Sequence, residues 1–143
     1  MPSGYTVSQI MTKNVVVANL NNQFSQVMKF FVDHKIHHLP VVFDDKVLGV
    51  LSYSDMLRFL DRMLKEKEQI SEEELNQCFR IEDVMTHNPV TVSPEDAVEK
   101  VIDILAEGKF QSVIAARDGL IYGIISNKDL IRLYQFEKEH QSA

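Results

Sequence analysis

The sequence predicts an α+β fold built from two pseudo-symmetric β-α-β-β-α repeats packed as one domain. Three observations predict it. Laid over itself at one constant offset, the chain carries Met11-Thr12 onto Met85-Thr86, Gly49 onto Gly123, and Ser52 and Asp55 onto Ser126 and Asp129. Each copy, 7–60 and 81–134, alternates short apolar strands with helices that have one apolar face. Each copy is also too short to bury a sizeable core alone, so two copies are expected to share one.

A short helical turn opens each copy (Val7–Met11, Ile81–Met85) and leads into a short strand (Val15–Val17, Val90–Val92). A helix follows. In the second copy Ser93-Pro94-Glu95-Asp96 reads as its start, with Ser as N-cap, Pro in the first turn and an acid at the third position. Gly108 is placed to end it. Val98, Val101, Ile102, Leu105 and Ala106 form the apolar face of this helix, and Phe24, Val27, Met28, Phe31 and Val32 that of its counterpart. Two apolar strands come next. Leu39–Phe43 and Val47–Leu51 flank Asp44-Asp45-Lys46, while Val113–Ala116 and Leu120–Ile125 flank Arg117-Asp118-Gly119, whose Asp-Gly signals a hairpin. A last helix begins at Ser-x-x-Asp and carries Met56, Leu57, Phe59, Leu60, Met63 and Leu64 in one copy, and Leu130, Ile131, Leu133 and Tyr134 in the other. Residues 61–80 form a charged, solvated helical linker in which Ser71-Glu72-Glu73-Glu74 is a capping box, and 135–143 is a tail.

Composition bounds the function. The chain has 143 residues, the length of one ordinary domain, and 45% of them are apolar, enough for a packed core. A net charge of −6 argues against duplex DNA or an anionic membrane as partner, since both need clustered Lys and Arg. The opening "MPSGYTVSQI" lacks a basic stretch followed by an apolar run, so it is not a signal peptide, and no run approaches the roughly 18 apolar residues of a membrane span. Cys78 is the only cysteine, which rules out an internal disulfide and leaves a passive, partly buried thiol. A soluble cytoplasmic protein is expected. No nucleophile–base pair, metal cage or Walker A loop is apparent in the sequence, so it is not expected to be an enzyme.

The stretches "GVLSYSDMLRFL" from Gly49 and "GIISNKDLIRLY" from Gly123 carry the candidate chemistry. Ser52-x-x-Asp55 and Ser126-x-x-Asp129 are capping boxes, the hydroxyl accepting an orphan amide and the acid lying in the first turn. A cap does not account for Gly49 and Gly123, because a glycine inside a strand marks close approach of a ligand or of another backbone. Nor does a cap exclude a site, since a helix N-terminus binds anions and a carboxylate suits paired hydroxyls. Asp55/Arg58 and Asp129/Arg132 are spaced as surface ion pairs. His34, His37 and His38 cluster ahead of a strand, but His37 and His38 point to opposite faces once the strand has begun, which disfavours a metal site.

Both halves resemble the CBS repeat, and the chain is similar to a tandem CBS pair, a Bateman module. The resemblance rests on "IMTKNVV", "VMTHNPVTV", "HHLPVV" and the doubled Gly-x-x-Ser-x-x-Asp, in order and at one offset. It implies one domain in which the repeats hold an adenosine nucleotide (AMP, ADP or ATP) or a related adenosyl ligand between them as a regulatory ligand, no cofactor being required. By resemblance Asp55 and Asp129 hold ribose, Ser52 and Ser126 lie near ribose or phosphate, and His37 and His38 meet phosphate. The second copy has "QSVIAA" in place of "HHLPVV", so Gln111 and Ser112 bring hydrogen bonds without charge, and Lys128 supplies a cation where the first copy has Ser54. The two sites are therefore expected to differ. The resemblance also implies a homodimer, with an unidentified protein as target. A regulatory ligand-binding module is the leading reading, and a ligand-independent dimerisation or scaffold module built on the last helices is the alternative.

Overall fold

The β-α-β-β-α order expected of each copy is present twice. The computed structural model describes residues 4–140. In chain order its elements are α1 (Val7–Ile10), β1 (Ala18–Asn19), α2 (Phe24–His34), β2 (His38–Phe43), β3 (Lys46–Ser52), α3 (Tyr53–Glu66) and α4 (Glu72–Cys78). They continue as α5 (Ile81–Val84), β4 (Thr86–His87), β5 (Thr91–Val92), α6 (Val98–Ala106), β6 (Ser112–Arg117), β7 (Leu120–Ser126) and α7 (Asn127–His140).

The chain divides into two compact units, and each of them mixes the copies. One is Val16–Pro89; the other joins the residues up to Val15 with those from Val90 onward. The opening of the second copy, α5 and β4, therefore belongs with the strands and helices of the first. The opening of the first copy, α1, belongs with those of the second.

In Val16–Pro89, β1 runs parallel to β2, β2 pairs antiparallel with β3, and β4 adds antiparallel to β3 through Gly49↔His87 and Val50↔Thr86. The β2–β3 turn places Asp44 and Asp45 at φ of 48° and 65°, the two left-handed residues that a tight hairpin requires, and Asp tolerates that region. The core is aromatic. Phe24, Phe59 and Phe79 meet pairwise with centroids 5.3–5.9 Å apart, over Leu39, Leu51 and Met56. Phe79 closes α4, and Leu75 of α4 is buried too, while Asn76 accepts from the Ser25 amide at 2.9 Å. The segment 61–80 is helical and mostly exposed, as expected of the linker, but Leu75 and Phe79 tie it to the core. Its capping box forms, with Ser71 Oγ accepting from the Glu74 amide at 3.1 Å, but the short helix is held by its apolar face rather than by its charges. Cys78, expected to be partly buried, is exposed.

In the other unit β5 runs parallel to β6 and β6 antiparallel to β7, with Asp118 and Gly119 turning the hairpin at φ of 54° and 81°. Both hairpins carry a register shift at equivalent places, Val41/Val42 and Ala115/Ala116. The core here is aliphatic: Val7, Val92, Val98, Val101, Val113 and Ile125.

Three boundaries differ from expectation. The first strand is Ala18–Asn19 rather than Val15–Val17, because the parallel register matches Ala18 with Val41. The helix expected from Ser93 starts at Val98. The Val7 and Ser8 amides, orphans of the first turn of α1, donate to the Asp96 and Pro94 carbonyls at 2.8 and 2.9 Å and draw this stretch into a turn. The Asp96 carboxylate folds back onto the Ser93 amide at 2.8 Å, a bond that with Lys100 holds its carboxyl below the usual range. The last helix continues to His140, through most of the expected tail. Gly108, at φ 81°, ends α6 as expected. Val32, placed on the core face of α2 by periodicity, is 65% exposed.

Candidate functional site

The doubled Ser-x-x-Asp lies where β3 and β7 turn into α3 and α7. Register brings the preceding strand alongside: His38 pairs with Ser52, and Ser112 with Ser126. The Tyr53 amide donates to the His37 carbonyl at 3.0 Å, and the Asn127 amide to the Gln111 carbonyl at 3.4 Å. Each unit therefore gathers its expected set at one strand end: His37, His38, Ser52 and Asp55 in one, Gln111, Ser112, Ser126 and Asp129 in the other. The first-turn residues Ser54 and Lys128 are exposed beside them.

Among the described residues the reciprocal capping box forms at Ser52/Asp55, whereas at Ser126/Asp129 only its carboxylate half does, the hydroxyl donating to the acid instead of accepting an amide. In the first, Ser52 Oγ accepts from the Asp55 amide at 3.1 Å and Asp55 Oδ2 accepts from the Ser52 amide at 2.8 Å. Arg58 closes on the other oxygen, Oδ1. In the second, Asp129 Oδ2 accepts from both the amide (2.9 Å) and the hydroxyl (3.2 Å) of Ser126. Its Oδ1 accepts from Thr12 Oγ1 at 3.2 Å. Thr12 is delivered by a two-way backbone bridge to Ile124, 2.8 and 3.0 Å. Of the two expected Asp–Arg pairs only Asp55–Arg58 forms among the described residues, because a neutral hydroxyl stands at Asp129 instead.

Each carboxylate is thus fixed at a helix start by one oxygen and offers the other towards hydroxyl or guanidinium donors. That geometry can accept from the hydroxyls of a sugar. His38 is half-buried; burial pushes its pKa down, the neighbouring His37 adds to this, and Asp55 opposes it. It is therefore a weaker cation near neutral pH than a free histidine. His34 stands apart at the end of α2. Among the described residues no three His, Cys, Asp or Glu side chains are grouped as metal ligands.

At Gly49 and Gly123 another segment of the protein makes the close approach that the sequence anticipated. A Cβ on Gly49 would meet the Thr86 carbonyl oxygen at 2.5 Å and Met85 Sδ at 2.7 Å. On Gly123 it would meet Met11 Sδ at 2.5 Å and the Thr12 carbonyl oxygen at 2.9 Å. The Met-Thr pair shared by the copies is the counterpart of the shared glycine, each pair lying on the glycine of the other copy. Sequence reading missed Thr12 as a neighbour of Asp129, although the repeated Met-Thr was its signal.

A cavity of about 670 Å³ opens elsewhere in Val16–Pro89, at the end of the unit that holds the start of α2; none of the candidate ligand residues lines it, whereas Met85, His87 and Asn88 of the repeated Met-Thr stretch do. Its floor is Leu20, Leu48, Phe79 and Met85, and its rim is polar. The strand-end sets carry the chemistry anticipated from sequence; the cavity is a separate feature.

Comparison with known proteins bears on this arrangement. The CBS domain profile matches residues 7–62 and 81–135. A CBS domain-containing protein of Dictyostelium discoideum is 25% identical over 89% of this chain and 89% of its own length. L-aspartate semialdehyde sulfurtransferase of Methanocaldococcus jannaschii is 25% identical over 92% of this chain but only 24% of its own length. The chain spans less than half the length of several such archaeal relatives. Among solved structures, CBSX2 in complex with AMP superposes with a TM-score of 0.78 at 25% identity, over 94% of this chain and 99% of that one. An acetoin utilization protein described as AcuB, from Vibrio cholerae, reaches 0.83 at 18% identity, over 97% and 98% of the two chains.

Proposed function

The chain belongs to the CBS-domain family, carrying the domain twice, and from that premise we propose that it is a regulatory module that binds an adenosine nucleotide and passes its occupancy to a partner. The observation that carries this reading is the pair of helix-start carboxylates, Asp55 and Asp129, each fixed through one oxygen by its own Ser amide. The AMP complex of CBSX2, a similar chain over nearly its whole length, supports the choice of adenosine ligand. Asp55 and Asp129 accept from ribose hydroxyls. Ser52, Ser54, His37 and His38 surround one phosphate position, and Ser126, Lys128, Gln111 and Ser112 the other. Gly49 and Gly123 serve by letting the Met-Thr segments lie close, not by touching ligand. The protein acts in the cytoplasm as a homodimer and without a cofactor.

Among the described residues no helix is long and apolar enough to cross a membrane. Output passes through protein contacts, for which the exposed apolar residues of α3 (Leu57, Leu64) and α7 (Ile131, Tyr134, Phe136) are available. These same residues favour the second reading, a scaffold that dimerises without ligand.

Isothermal titration with AMP, ADP, ATP and S-adenosylmethionine tests the first reading, with light scattering alongside. Saturable heat that falls at least about tenfold in affinity in Asp55→Asn or Asp129→Asn supports it, a loss of the size expected for a hydrogen bond to a charged group. No heat and no thermal shift with any of the four, in a protein that remains dimeric, leaves the scaffold.

A further inference from the structure

We propose that the cavity in Val16–Pro89 is a second binding site, for the zwitterion of a small apolar α-amino acid. The volume, about 670 Å³, lies within the ordinary range for small-molecule sites. It is separate from the strand-end residues assigned to the adenosine ligand.

Beside the polar turn 21–23 and His87, whose ring nitrogen bonds the Glu82 carbonyl, three parts of the lining carry the recognition. Leu48, Phe79 and Met85 give an apolar floor, and the last two are buried with 7% and 8% exposure. Arg80 and Glu82, two residues apart at the start of α5, both line the cavity. Gln77 and Asn88 add carboxamides, whose side chains make no hydrogen bond among the described residues.

The two charges decide the ligand. Neither Arg80 nor Glu82 forms an ion pair among the described residues, with each other or with anything else. A plain carboxylate would pair with Arg80 but face Glu82; a plain amine would pair with Glu82 but face Arg80. A molecule with both groups on one carbon satisfies both, and guanidinium suits the planar carboxylate through a two-pronged bond. The apolar floor takes the side chain. Met85 lines the cavity and also fills the space over Gly49 on β3, so an occupant would press on the segment that pairs with β3.

The test is amide NMR on the full chain titrated with L-leucine, L-methionine and L-phenylalanine. Isocaproate, which lacks the ammonium, and isoamylamine, which lacks the carboxylate, are the comparison probes. The expected result is saturable shifts at Leu48 and over 77–88 with at least one amino acid, and binding at least about tenfold weaker for both analogues. Arg80→Gln and Glu82→Gln each weaken the amino acid several-fold; Arg80 is exposed and Glu82 half-buried, and unchanged spectra away from the cavity show that the fold is intact. No saturable shift with any of the three amino acids overturns the site. Isocaproate binding as well as leucine, or a Glu82→Gln variant binding leucine unchanged, overturns the zwitterion assignment.

Discussion

Gly49→Ala tests the interlocking of the two copies most directly. The new methyl carbon would sit 2.5 Å from the Thr86 carbonyl oxygen, 2.7 Å from Met85 Sδ and 3.1 Å from Met85 Cε. Ordinary carbon contacts lie near 3.5–4.0 Å, so at least two neighbours must withdraw. Thr86 cannot do so freely, because its strand is paired to β3 at Gly49↔His87 and Val50↔Thr86. Met85 is 8% exposed and backs onto the aromatic core. Overpacking of this kind costs about 1–3 kcal/mol, and the backbone contact puts it towards the upper end. The lower entropy of the unfolded alanine chain offsets about 0.4–1 kcal/mol. A net loss of about 2 kcal/mol at about 4 °C per kcal/mol lowers Tm by roughly 8 °C in scanning calorimetry. Gly123→Ala costs less, because its two nearest atoms belong to the flexible Met11 side chain and the Thr12 carbonyl oxygen is 2.9 Å away. A double-mutant cycle separates the causes: Met11→Ala relieves most of the Gly123→Ala loss, while Met85→Ala leaves much of the Gly49→Ala loss in place. A Gly49→Ala Tm within about 1 °C of the parent, or full relief by Met85→Ala, refutes the backbone-contact argument.

Arg58→Gln frees Asp55 Oδ1 of its guanidinium while leaving the capping box. AMP affinity at the Asp55 site should rise a few-fold, read by titration in an Asp129→Asn background, and an unchanged or lower affinity means Arg58 does not compete there. The lowered pKa of His38 makes stability depend on pH in a defined direction. The unfolded chain takes up its proton near pH 6.5 and the folded chain only at lower pH, so stability from this group is complete above about 6.5 and falls as pH drops through the window below it. Calorimetry at about pH 7.5 and 5.5 should show a smaller drop in Tm for His38→Gln than for the parent; an equal drop assigns the dependence elsewhere. The same shift moves any phosphate contact by His38 to lower pH, so AMP affinity at that site should gain more between about pH 6.5 and 5.5 than between about 8 and 6.5, as titration at the three values shows. Leu75→Ala should cost about 2–4 kcal/mol in urea unfolding, because α4 is part of the core; a loss under about 0.5 kcal/mol restores the solvated linker.

Much of the frame was legible because it is local. Asp118-Gly119 turned a hairpin, Gly108 ended a helix and Ser71 began one, each through chemistry confined to four or five residues. The strand end that gathers His38, Ser52 and Asp55 was legible for the same reason, since a hairpin with a defined turn sets its own register. Where local signals failed, a distant group had intervened. The strong start signal at Ser93 lost its helix to the amides of α1, which lie far away in sequence. The acidic stretch around α4 looked solvated because Leu75 and Phe79 are few among many charges, yet Phe24 and Phe59 were waiting for the second of them. Val32 fell on the apolar stripe of α2 and still faces outward, since periodicity names a face without saying how wide the covering surface is.

By itself the sequence determined the repeat, the order of its elements, the turns and the Ser–Asp pairing at the two helix starts, because each follows from neighbours along the chain. It also announced that Met-Thr and Gly-x-x-Ser-x-x-Asp matter together, by writing both twice. Only the tertiary structure decided which Met-Thr belongs to which glycine. The pairing is crossed, Met11 on Gly123 and Met85 on Gly49, and that crossing brings Thr12 to Asp129 while Arg58 takes the equivalent place at Asp55. No periodicity encodes such a choice. Two identical motifs fit two identical glycines equally well as strings, and the partner is selected by which chain segments can reach each other once the helices and hairpins have packed.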